Sequence, residues 1–202
     1  MERQLFEKMY ADQAPWDIGR PQQAVIDLAG GGMIRGSVLD VGCGTGDNAL
    51  WLAAQGHETW GLDYVPVAIE RAQRKAAERK LDVHFELGNA LELATLGRQF
   101  DTALDCGLFH TFSDDERPTF VRGLAAVVRP GGRVHILCFS DQEPGSEGPR
   151  RVTQQEIRYA FAHAWRVERI VPTRFEVAAS AAAMFSPGGP KAWLATIERT
   201  AN

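Results

Sequence analysis

The stretch "SVLDVGCGTGDNALWLAAQG" (37–56) decides how this chain is read, because a short apolar run breaks at Gly42, Gly44 and Gly46 and then resumes with helical spacing. A strand-to-helix turn of this kind aims free backbone N–H groups and the positive end of a helix dipole at one place, and missing side chains allow a close approach. A tight turn needs one glycine, so three at alternate positions predict a polar or anionic ligand. A dinucleotide fingerprint counted from Gly42 puts Asp47 where the third glycine belongs, and its charge would face a pyrophosphate. A phosphate-binding loop would need a lysine after its glycines, and none follows here. The spacing therefore points to a ligand with a nucleoside but no pyrophosphate.

Outward from the loop, β-rich runs alternate with helical runs, the pattern of βαβ units and a parallel sheet. Strands are expected at 37–41, 58–63, 83–88, 100–106 and 133–139, and two more at 165–172 and 191–199 that should pair antiparallel. Helices are expected at 47–55, ending on Gly56, and at 66–80, opening on Pro66. A third lies within 114–129. Ser113 and Glu116 resemble a capping box, but Pro118 would then sit deep, so the expected start is near Pro118, with "PGG" (130–132) as the stop. Thr153 and Glu156 form a second box, and "EVAASAAAMFSPGGP" (176–190) reads as a loop.

The second strand ends on Asp63, which is placed to accept hydrogen bonds from ribose hydroxyls or to cap the helix near Pro66. The third ends in "GNAL", where Asn89 can reach an adenine amino group and Ala90 and Leu91 offer backbone contacts. With these motifs in order, 37–139 resembles the core of the class I S-adenosylmethionine-dependent methyltransferases. "VLDVGCGTG" resembles their first motif, "GLD" their ribose acid, "GNALEL" their adenine segment and "LAAVVRPGGRVHILCF" their approach to the fifth strand. Asn89 stands where the family usually has aspartate. "APWDIGRPQ" (14–22) is similar to the lid of the thiol, halide and thiopurine methyltransferases, and "GPRRVTQQEIRYAF" (148–161) to the segment after their fifth strand.

The resemblance implies an α/β fold, a Rossmann-like doubly wound sheet of seven strands, mostly parallel with an antiparallel C-terminal strand and helices on both faces. It implies one domain over 1–202, with an N-terminal helical lid (1–36), a cofactor-binding core (37–139) and a substrate-side loop, helix and strand pair (140–202). S-adenosyl-L-methionine is the implied cofactor, held by Trp16, Asp40, Gly42, Cys43, Gly44, Gly46, Asp63, Tyr64, Asn89, Ala90, Leu91 and Asp105.

Ligands in this fold gather beyond the carboxyl ends of the strands, so "DCGLFHTF" (105–112) belongs near the reacting atom. Leu108, Phe109, His110, Tyr10, Trp16 and Arg150 are the expected acceptor-lining residues. His110 is either a general base or a partner of the following turn. Trp16 offers a face to a cationic ligand or anchors the N-terminal segment, and Phe6 and Tyr10 form one helical stripe. Arg20 pairs with an acidic group of a ligand or is solvated. The expected reaction is methylation of a small molecule, a thiol or thiopurine-like sulfur first and the oxygen of a phenol, quinone or hydroxylated heterocycle second. A non-catalytic cofactor-binding protein and an NAD-dependent oxidoreductase are the readings from other classes.

Composition excludes other classes. Lys and Arg number 22 against 26 Asp and Glu, with a net charge of -4 and no basic run, so nucleic acid is not an expected partner. "MERQLFEKMY" carries no apolar signal core, and no apolar run nears the roughly 20 residues that span a bilayer, so a soluble, cytoplasmic protein is expected. Cys43, Cys106 and Cys138 are odd in number and lack CxxC spacing, which reads as reduced structural thiols and no metal.

Overall fold

Residues 3–11 and 14–201 are described by a computed structural model. Residues 1, 2, 12, 13 and 202, which the expected domain also included, lie outside the described residues. Two N-terminal helices, α1 (Arg3–Ala11) and α2 (Gln23–Gly30), precede β1 (Val38–Val41), α3 (Asp47–Ala54), β2 (Thr59–Asp63), α4 (Pro66–Arg79), β3 (Val83–Leu87) and β4 (Phe100–Cys106). The chain continues through α5 (Glu116–Val127), β5 (Val128–Phe139), α6 (Gln154–Ala160), β6 (Trp165–Arg174) and β7 (Lys191–Arg199). The seven strands form one sheet in the order β3-β2-β1-β4-β5-β7-β6, parallel except for β7, which runs antiparallel to both neighbours. The expected doubly wound architecture is thus present. No helix among the described residues is long and apolar enough to cross a membrane.

Alternation along each strand sorts side chains into two cores. Leu39, Val41, Val134, Ile136, Trp193, Ala195 and Ile197 pack toward α5 and α6, while Val38, Leu137, Phe139, Ala192 and Leu194 pack toward α2. α2 is therefore part of the scaffold, its Val25 and Leu28 buried on the sheet. From the N-terminal segment, Tyr10 of α1 and Asp17 reach the glycine loop; α1 packs through Tyr10 on Val65 and Ala68 at the start of α4.

Two expected boundaries differ from the structure. Ser113 and Glu116 do make the reciprocal box: the Ser113 N–H donates to Glu116 Oε2 at 2.8 Å and the Glu116 N–H to Ser113 Oγ at 3.3 Å. α5 accordingly begins at Glu116, and Pro118 is tolerated because it lies in the first turn, where its missing N–H has no helical acceptor. The "PGG" run does not end the element before the fifth strand. β5 starts at Val128, and its register against β4 jumps from Phe100↔Val128 to Thr102↔Arg133, so residues 129–132 bulge within the strand. The segment 176–190 is not wholly irregular, since Ala179–Met184 forms a 3-10 turn.

The register aligns the carboxyl ends that matter. Val41 lies level with Leu62 of β2 and with Asp105 of β4, and the strand order reverses between β1 and β4. A crevice opens at that switch point.

Candidate active site

The glycine loop forms the floor of the crevice. Gly42, Gly44 and Gly46 take φ of 73°, 54° and 83°, a left-handed region that side chains disfavour. The chain's own neighbours also crowd it. A Cβ on Gly46 would lie 2.7 Å from Phe85 Cζ and 2.9 Å from Ala72 Cβ, and one on Gly44 would lie 2.7 Å from the Tyr10 hydroxyl. The expectation that ligand approach accounts for all three glycines is corrected at Gly46, which is needed for packing of the loop on β3 and α4. Asp63 organises the same loop: Oδ2 accepts from the Gly44 N–H and Oδ1 from the Val65 N–H, each at 2.9 Å. Val65 is the N-cap residue of α4, so Asp63 serves that turn while facing the cleft loop.

Asp47 also acts differently from its sequence reading. Its Oδ2 accepts from Lys75 Nζ at 2.8 Å, and its Oδ1 lies 3.6 Å from Arg79. The charge invoked against a pyrophosphate is paired by α4, so that electrostatic argument loses its force.

Beneath the loop lie two buried carboxyls without a cationic partner. Among the described residues no side chain pairs with either oxygen of Asp40 or with Oδ2 of Asp105, and the Ala49 backbone is the one group that eases the Asp40 charge. Asp105 Oδ1 accepts from the Leu108 and Phe109 N–H groups at 2.9 and 3.1 Å. Burial, then the nearby Asp105 and Asp63, pushes the Asp40 pKa up to about 8. Burial raises Asp105 to about 7, against the pull of its two backbone donors. Such a pair is costly unless something positive joins it.

The outer wall comes from both ends of the chain. Trp16 Nε1 donates to Tyr10 Oη at 3.0 Å, and Phe6 packs against Trp16 and Tyr64 with centroids 5.6 and 5.8 Å apart. Arg20 makes a two-pronged pair with Glu176 at 2.7 and 2.9 Å, and Glu176 also accepts from the Gln23 N–H at 2.8 Å, which caps α2 from a distant segment. The buried Gln22 amide pairs with the backbone of Glu176 in both directions at 2.8 Å. Tyr10, Trp16, Gly42, Cys43 and Gly44 line the cleft together with Asn48, Cys106 and Phe175.

Other expected residues land elsewhere. Phe109 is fully buried among Phe120 and Phe161 with the Arg117 guanidinium 4.7 Å over its ring, so it belongs to the core rather than to an acceptor wall. Arg150 pairs with Asp114 at 2.7 Å and with Glu156, which commits its charge beside α5 and α6, away from the cleft. Arg20 does line the cleft, with its guanidinium paired to Glu176. His110 accepts the Phe139 N–H on Nδ1 at 3.0 Å and makes a second hydrogen bond to the Gly107 backbone. Burial, then Arg117 and Arg151, pushes its pKa down to about 3, which makes it a poor base. Leu108 packs on Gly42, Asn89 Oδ1 accepts from the Leu91 N–H at 3.0 Å, and Ala90 and Leu91 pack into the core at the end of β3.

Asn48, Phe175 and the Gln22–Glu176 pair are not singled out by the sequence, and Cys106, read there only as a structural thiol, lines the cleft. "PWDIG" and "DNAL" flagged their neighbourhoods, but nothing local brings 175–176 to residues 20–23.

Comparison with known proteins accords with this geometry. A family described as a methyltransferase domain matches residues 38–132. The 2-heptyl-1-hydroxyquinolin-4(1H)-one methyltransferase of Mycobacteroides abscessus is 34% identical over 181 residues, covering 84% of this chain and 80% of that protein. A solved structure described as "Conversion of a Disulfide Bond into a Thioacetal Group during Echinomycin Biosynthesis" is 34% identical with a TM-score of 0.88, covering 100% of this chain and 94% of the other. Magnesium protoporphyrin IX methyltransferase from Synechocystis PCC 6803 with bound SAM shares the fold at 21% identity and a TM-score of 0.64, covering 87% and 76%. The chain belongs to the class I S-adenosylmethionine-dependent methyltransferases.

Proposed function

We propose that the crevice is the S-adenosylmethionine site and that the enzyme methylates a small, flat, apolar molecule on an atom that attacks without a protein base, sulfur first. The observation that carries the cofactor placement is the pair of buried carboxyls Asp40 and Asp105 under the glycine loop, which keep oxygens with no side-chain partner and so fit a ligand bearing an ammonium group. Bound there, the cofactor supplies a methyl group on a positively charged sulfur, already activated toward nucleophiles. Asp63 keeps lone-pair capacity for ribose hydroxyls beyond its bonds from the Gly44, Tyr64 and Val65 backbone, and Asn89, Ala90 and Leu91 at the end of β3 border the adenine. Tyr10, Trp16 and Phe175 give the cleft aromatic faces, which suit a cation and shed water.

The chain's task is then orientation and exclusion of water, worth roughly 7–11 kcal/mol in well-ordered cases. Proton removal is the step it does not provide: the carboxyls whose pKa values are raised to about 7 and about 8, Asp105 and Asp40, are fully buried and in this reading are committed to the cofactor ammonium. His110 has both hydrogen bonds committed, and burial raises the Tyr10 phenol and the Cys106 thiol, so none is a free base near pH 7. An acceptor must arrive ionised or carry a lone pair that needs no deprotonation. Thiols ionise at about pH 8.5 and phenols at about 10, which favours sulfur. The hydroxyl of an N-heterocycle is the second reading, supported by the Mycobacteroides relative.

The test is release of S-adenosylhomocysteine across thiols, thiones, phenols and N-hydroxy heterocycles of graded acidity. Turnover is expected to favour sulfur and, among oxygens, to rise with acidity; preference for aliphatic amines would overturn the reading.

A further inference from the structure

α4 carries Arg71, Lys75 and Arg79 four residues apart, so three cations share one face. Arg71 donates to the Tyr10 carbonyl at 2.7 Å, and Arg79 faces Asp47. Lys75 reaches two acceptors at once, Asp47 Oδ2 and Thr45 Oγ1, each at 2.8 Å. The Thr45 hydroxyl donates in turn to Asp17 Oδ1 at 2.9 Å, with Asp47 Oδ2 as a competing acceptor at 3.4 Å.

A hydroxyl has one proton, and an ammonium has no lone pair. Beside Lys75 the Thr45 oxygen must therefore accept, and its single proton goes to an acidic neighbour. By occupying Asp47 Oδ2, Lys75 also weakens the competitor. What remains is Asp17, next to Trp16 in the cleft wall. Lys75 itself does not line the cleft.

We propose that Lys75 is a positioning residue for cofactor binding, which through Thr45 holds the Trp16–Asp17 wall closed on the glycine loop. The inference rests on the crevice being the cofactor site. It gives the α4 cations a reason beyond neutralising Asp47: one ammonium sets the direction of one hydroxyl, and that hydroxyl joins the N-terminal wall to the loop.

Calorimetric titration of the full chain with S-adenosylhomocysteine tests it. Lys75→Met is expected to weaken binding about tenfold, the effect of one charge-assisted hydrogen bond, and Lys75→Arg to restore most of it. Thr45→Val should reproduce the loss with Lys75 present, and the double variant should bind no more weakly than either single one, because both break the same chain of bonds. A folded Lys75→Met protein with wild-type affinity, or losses that multiply in the double variant, would overturn the proposal. If Lys75→Met gives no cooperative melting transition, Thr45→Val with Asp17→Asn completes the same cycle and decides it by the same criterion. Wild-type protein that fails to bind S-adenosylhomocysteine would instead overturn the site assignment, and this inference with it.

Discussion

The Phe139 amide donates to Nδ1 of His110 at 3.0 Å, and that bond fixes the protonation state the ring can hold. A nitrogen that accepts from a backbone N–H has its lone pair occupied, and protonating it would set two donors against each other. The ring also packs against Phe139 and Phe175, with centroids 5.2 and 5.9 Å away, so it braces the Phe175 wall of the cleft.

His110→Ala should therefore lower the melting temperature while leaving the shape of the pH–rate profile unchanged. A cavity and an unpaired amide cost about 2–4 kcal/mol together. Because the folded pKa, about 3, lies below the unfolded value of about 6.5, the neutral ring contributes stability above pH 6.5 that is lost as pH falls through 6.5 toward 3. Loss of a limb near pH 6–7 in the variant's kcat profile would restore the general-base role.

Asp40 and Asp105 predict the opposite dependence. Their folded pKa values, about 8 and about 7, exceed the ordinary carboxyl value. Stability from their protonated forms is complete below about pH 4 and lost as pH rises through 7–8. A bound ammonium favours the ionised carboxyls, so cofactor binding should release protons and strengthen between about pH 6 and 8. Titrations of S-adenosylhomocysteine in two buffers of different ionisation enthalpy read the protons directly. Equal heats in both buffers would remove the pair from the ammonium site, and Asp40→Asn, which removes the carboxyl with the higher pKa, should abolish most of the difference.

The sheet was legible because its central strands are buried apolar runs bounded by turn signals, and β4 and β7 match their expected ranges residue for residue. The glycine loop and Asp63 were legible for a related reason: Asp63 acts through bonds to Gly44 and Val65 that follow from one strand and one turn. What failed was long-range charge. Nothing near Arg150 announces Asp114, nothing near Asp47 announces Lys75, and the Gln22–Glu176 pair spans 154 residues. Side-chain partners across such distances are set by packing, which a single sequence does not display. The same holds for Phe109, whose place in the core is decided by Phe120, Phe161 and Arg117.

Glu176 yields a prediction that separates closure from stability. Its pair with Arg20 is largely solvent-exposed on the arginine side, with side-chain exposures of 55% and 29%, so its stability contribution is screened to under about 1 kcal/mol. Its position across the wall of the cleft gives it a larger share in holding residues 20–23. Glu176→Gln should leave the melting temperature within a few degrees of wild type, weaken S-adenosylhomocysteine binding, and speed proteolysis near residues 14–22. A melting loss with unchanged affinity would make the pair a stabilising bridge and nothing more.

Gly46 and Gly44 divide the loop's packing from its function. Gly46→Ala places a Cβ against an aromatic ring and a helix side chain at 2.7 and 2.9 Å, at a φ of 83°, and neither neighbour can retreat without moving β3 or α4. Strain and overpacking together should cost about 3 kcal/mol. Gly44→Ala meets only the tip of Tyr10 at 2.7 Å, which can swing away and take its Trp16 hydrogen bond with it. Gly44→Ala is therefore expected to retain more stability than Gly46→Ala yet lose more affinity for S-adenosylhomocysteine, measured relative to the fraction folded. If Gly46→Ala instead folds normally and fails only in binding, the ligand, and not Phe85 and Ala72, is what requires the third glycine.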